Sequence, residues 1–142
     1  MTDTPRERPQ GETGGSSQRP ARQVAAPLLS FDLAEELRSL KREASWERGD
    51  RNARTLVQEP GFRLVLTVLK AEAKMQEHRA AGWASVHCLE GHVRLQSGEH
   101  SVDLPAGRLL VLEPEVTHNV EALEASAFLL SIAFRGQSGE GV

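Results

Sequence analysis

The 142-residue chain has no tyrosine, a single cysteine and only 4% aromatic residues. With so few aromatics, the core has to be built from Leu, Val and Ala. The same scarcity removes the stacking platforms on which single-stranded nucleic acid is held. A formal net charge of -3 gives no basic face to track phosphates, so the composition argues against a nucleic-acid partner. Cys88 alone cannot close an internal disulfide, and no apolar run approaches the ~18 to 20 residues a membrane span requires. No stretch joins a basic start to an apolar signal region. These absences lead us to expect a protein of the reducing cytoplasm with no membrane contact. Nothing pairs a nucleophile with a base at a recognisable spacing, and Gly14-Gly15 opens no helix that could cradle a phosphate.

What is present divides the chain into unequal parts. Residues 1–27 are rich in Pro, Gly, Ser and Thr and carry almost nothing large and apolar, the composition of an unstructured tail. From Phe31 to about Trp46, within residues 28–50, Leu33, Leu37, Leu40 and Ala44 recur at helical spacing. Ser30 or Asp32 can cap the start, Asp32 and Glu35 are spaced as a capping box, and Gly49 and Asp50 supply the stop. This amphipathic helix can lay its leucines on the main domain or on a partner.

Over residues 51–136 the period changes to two. Strands are expected at 54–58, 62–70, 84–89, 92–96, 99–104, 109–112, 117–122 and 128–135, with Gly and Pro at the corners. No helix-length segment interrupts them, so the fold class is all-β, an antiparallel barrel or sandwich. Residues 137–142 read as a frayed end.

The stretch from Glu72 to Asn119 holds all five histidines and the cysteine, so the chemistry is sought there. Strand alternation places Ala84, Val86 and Cys88 on one face and His118, Val120 and Ala122 on another shared face. Trp83 then stands at the mouth of the barrel or against the helix, while His87, His92 and His100 point to solvent.

The turns and histidines resemble the cupin family, whose motifs are G-x5-H-x-H-x3,4-E-x6-G and G-x5-P-x-G-x2-H-x3-N. On this sequence Glu72 takes the opening Gly position, His78 the first His, Ala80 the second His, Ala84 the Glu and Gly91 the closing Gly. The second motif keeps Gly107 and His118 at their separation. Pro114 falls one residue late, Glu115 replaces Gly and Ala122 replaces Asn. The resemblance covers about residues 54 to 135 and implies a jelly-roll (double-stranded β-helix) barrel.

It also implies that His78 and His118 face one cavity, as ligand-binding groups and as the surviving metal ligands. Trp83 and Cys88 are further candidates for contact with a bound molecule. A first-row metal is usually held by at least three protein groups, so a third ligand would have to come from Gln76, Glu77 or Cys88. The cofactor is unassigned, with Fe, Mn, Ni and Zn as the options. The leading expectation is a small-molecule-binding or accessory barrel. One alternative is a metal-dependent enzyme of the dioxygenase or isomerase type; another is an interaction module acting through the helix. By analogy with the family, the chain is expected to pair as a homodimer.

Overall fold

A computed structural model describes residues 27–134; the tail expected before them and the frayed end expected after them lie outside that range. Two short helices come first, α1 (Leu33–Leu40) and α2 (Ala44–Arg48). Nine strands follow among the described residues: β1 (Arg51–Glu59), β2 (Phe62–Leu69), β3 (Lys74–His78), β4 (Trp83–Glu90), β5 (His92–Ser97), β6 (His100–Pro105), β7 (Leu109–Leu112), β8 (His118–Ala122) and β9 (Ser126–Ala133). They form two antiparallel sheets, one ordered β1-β2-β9-β4-β7 and the other β3-β8-β5-β6. The strands switch sheets as the chain proceeds, which is the jelly-roll barrel.

Sheet alternation divides the apolar residues into two layers. Leu69, Val86, Cys88, Val93, Leu95, Leu104, Val120 and Phe128 fill the space between the sheets. Leu56, Leu66, Val68 and Ala127 form a second cluster with Leu37 and Leu40, so the leucine stripe of α1 covers the outer face of the five-stranded sheet. Asp32 caps α1 as the sequence suggests, accepting from the Glu35 N–H at 3.2 Å.

The single helix expected across Phe31–Trp46 is instead broken at Lys41–Glu43. Two buried groups of β1 account for the break. Asn52 Nδ2 donates to the Leu40 carbonyl at 3.0 Å, a carbonyl that a continuous helix would give to residue 44. Arg54, 7% exposed, pairs with Glu36 at 2.7 Å and also with Glu43. Glu43 reaches that guanidinium from an extended backbone (φ -86°, ψ 155°), as the residue that starts α2.

Candidate functional site

His118 opens β8 and lies directly opposite His78, the last residue of β3, in the four-stranded sheet. The pairing depends on an irregularity. Met75 is opposite Val120 and His78 opposite His118, so three steps along β3 match two along β8. Met75 packs into the barrel core, and by strict alternation His78 would face the other way. The extra residue at Gln76–Glu77 is a β-bulge that turns His78 to the face of His118. The two rings meet edge to face with centroids 4.4 Å apart.

Each ring is held by the backbone two residues earlier. His78 Nδ1 lies 2.8 Å from the Gln76 carbonyl and His118 Nδ1 lies 3.0 Å from the Val116 carbonyl. A carbonyl only accepts, so Nδ1 carries the proton in both and each Nε2 keeps its lone pair when the ring is neutral. His118 is 4% exposed while His78 is exposed. Burial pushes the His118 pKa below the usual imidazole value. The Val116 carbonyl opposes that shift and the neighbouring His78 adds to it.

His118 also forms part of the wall of a half-open cavity of about 200 Å³ at this end of the barrel. Leu95, Val102, Leu110, Leu112 and Val116 supply most of the remaining wall, with Gln96, Ser97 and His100 alongside. The surface they present is almost entirely apolar. Ser97 spends its hydroxyl proton on the Thr117 carbonyl at 2.7 Å. On the outer side of the four-stranded sheet a second, open hollow of about 300 Å³ is bordered by Lys74, Gln76, Glu77, Gln96, Asn119 and Glu121. Met75 also borders it, so its surface is about half polar and half apolar.

The structure thus brings His78 and His118 together but does not gather the other candidates around them. His78 is outside the cavity wall and touches it only through His118. Trp83, 52% exposed, is followed by the inward-facing Ala84, so it lies on the outer face of its sheet and outside the cavity lining. Trp46, itself in α2, is the tryptophan that packs against the helix-side cluster, with Lys70 Nζ 4.9 Å from its ring centroid. Cys88 is fully buried in the barrel core, also outside the lining, and its thiol donates to the Glu90 carbonyl at 3.3 Å. Burial pushes that thiol up, away from the thiolate form.

His100, read from sequence as solvent-facing, is exposed and also borders the cavity. The apolar wall was missed for a simple reason: in Leu109–Leu112 all four residues are apolar, so alternation gives no hint that Leu110 and Leu112 line the cavity while Leu109 and Val111 are exposed.

The donor set does not fit a tightly held metal. Two Nε2 atoms are oriented as imidazole ligands usually are, with Nδ1–H fixed by a carbonyl. Among the described residues, however, no group of three or more His, Cys, Asp or Glu side chains is placed to hold an ion. Ala80 and Ala84 occupy the motif positions where the second histidine and the glutamate would stand, and Cys88 is packed into the barrel core.

Neither a family model nor a curated protein sequence matches the chain. Solved structures do. A cupin 2 conserved barrel domain protein from Leptotrichia buccalis is similar at TM-score 0.62 and 23% identity, over 72% of this chain and 47% of that one. A cupin-2 domain containing protein from Shewanella frigidimarina is similar at TM-score 0.59 and 13% identity, over 72% and 93%. A cupin superfamily protein from Desulfitobacterium hafniense is similar at TM-score 0.58 and 14% identity, over 59% and 77%. At these identities the likeness is one of fold.

Proposed function

We propose that this chain, which has the cupin fold, binds a small organic molecule inside its barrel as a binding or accessory protein. One observation carries the reading: a cavity of about 200 Å³ between the sheets with His118 in its wall. Ligand sites of this kind are mostly apolar with a few polar groups that fix orientation. The rival, a metal-dependent cupin enzyme of dioxygenase or isomerase type, draws its support from the two free Nε2 atoms of His78 and His118. Among the described residues no third ligand stands beside them. An interaction module acting through α1 has less support, because the leucine face of that helix is already occupied by the five-stranded sheet.

The reading keeps the protein in a reducing cytoplasm, on the strength of its single cysteine. It also keeps a homodimer, supported by Leu109, Val111 and Trp83 standing exposed on one outer face; a single-chain mass by light scattering would remove that part.

Two measurements on the full chain, purified without an affinity tag, test the main claim. Elemental analysis should find Fe, Mn, Ni and Zn well below one equivalent; one equivalent that disappears in His78→Ala would overturn the preference for a binding protein. A library of small organic molecules screened by ligand-observed NMR should return saturable binders. A library with none would sink the claim.

A further inference from the structure

We infer that the occupant of the cavity is an uncharged, apolar molecule of about one six-membered ring. The inference rests on the proposed binding function and narrows it to a ligand class. Charge is the first argument. Among the nine residues that line the cavity there is no Lys, Arg, Asp or Glu. A carboxylate, phosphate or ammonium group placed inside would be desolvated with no Lys, Arg, Asp or Glu beside it, and a poorly compensated charge in an apolar site carries a large penalty. Leu95, Val102, Leu110, Leu112 and Val116 give the opposite preference, for surface that gains by leaving water.

Polarity is the second argument. The polar lining groups hardly contribute to the cavity surface, and two of them are committed elsewhere: His118 Nδ1 to the Val116 carbonyl and the Ser97 hydroxyl proton to the Thr117 carbonyl. A sugar would bury several hydroxyls against Leu and Val with too few partners, each an unmade hydrogen bond. Size is the third. A cavity of roughly 150 Å³ lined by aliphatic side chains accepts benzene, so about 200 Å³ accommodates one ring, with any larger substituent projecting through the open side.

The test is an amide-detected NMR titration of the full chain with four molecules of one shape: toluene, phenol, benzoate and benzylammonium. Toluene should shift the amides of Leu95, Leu110 and Leu112 saturably, with phenol comparable. Benzoate and benzylammonium should bind roughly a hundredfold more weakly or not at all, because the lining offers no Lys, Arg, Asp or Glu to offset the desolvation of their charge. Val102→Phe, which fills the cavity with a ring of its own, should abolish toluene binding; its melting curve reports whether it folds, and Val116→Phe serves if it does not. A charged ring that binds within about tenfold of toluene overturns the ligand class and leaves the binding function standing. If no molecule of any kind binds, both fall. Unchanged toluene affinity in a folded Val102→Phe protein overturns the assignment to this cavity.

Discussion

His118 combines burial with a ring whose protonation can be followed, and the sign of its effect on stability follows from that. Burial disfavours the imidazolium, so the folded chain binds fewer protons at this site than the unfolded chain, whose imidazole keeps its ordinary value near 6.5. Where the unfolded state binds more protons, stability rises with pH. The contribution is therefore complete above about pH 7 and is lost as pH falls through the ordinary imidazole range. It levels off below the depressed folded value. His118→Asn retains an amide that can donate to the Val116 carbonyl and removes the titration. Denaturant midpoints measured from pH 7.5 to 5 (about the imidazole range) should fall more steeply for the parent than for this variant. Parallel curves would show that His118 titrates alike in both states.

The turns between elements follow the glycine positions of the motifs that the sequence resembles more closely than the side chains do. The motif glycine positions fall at residues 72, 91, 107 and 115, and all four have positive φ: 70°, 78°, 94° and 67°. Gly91 and Gly107 suit that region, whereas Glu72 and Glu115 bear a Cβ there, at a cost of roughly 1 to 2 kcal/mol each. Glu72→Gly should accordingly stabilise the protein by roughly 0.5 to 1 kcal/mol, the strain released less the extra freedom glycine gives the unfolded chain. Gly91→Ala should do the reverse and more strongly, since a Cβ there would run into the Ala125 carbonyl oxygen. Chemical denaturation of the two variants checks both signs, and a Gly91→Ala protein as stable as the parent would contradict the turn geometry.

These turns also explain what could be read from the letters alone. Spacing registered the corners, because positions 72, 91, 107 and 115 all take positive φ in this chain although two of them hold glutamate. The bulge that turns His78 left no trace, since Lys74–His78 offers only Met75 as an apolar marker, and β3 itself was absent from the expected strands. The cavity wall escaped because alternation vanishes in a fully apolar strand, and the helix break escaped because it is set by Asn52 and Arg54 from outside the helical segment.

At the scale of the molecule, α1 and α2 belong to the domain even though they precede the barrel. Leu37 and Leu40, 6% and 0% exposed, cover Leu56, Leu66 and Val68, which would otherwise form an apolar outer face. Burying each such side chain contributes roughly 1.5 to 3 kcal/mol. Arg54 adds a second dependence, because the partners of its buried guanidinium include Glu36 of α1 and Glu43 at the start of α2. Removing the helices would take those carboxylates from Arg54 and at the same time expose its guanidinium to water, so the main cost is the uncovered apolar face. Together these terms are comparable with the roughly 5 to 15 kcal/mol by which a whole domain is stable. Deleting residues 28 to 50 should therefore yield a chain that aggregates or melts without a cooperative transition, even though every strand is retained. Replacing Arg54 by Met in the same deletion should recover none of the loss, because the exposed Leu56, Leu66 and Val68 stay uncovered. Circular dichroism melts of the two deletions decide the matter: a cooperative transition within a few degrees of the full chain would mean that the helices are an appendage and that the barrel core between the two sheets is sufficient by itself.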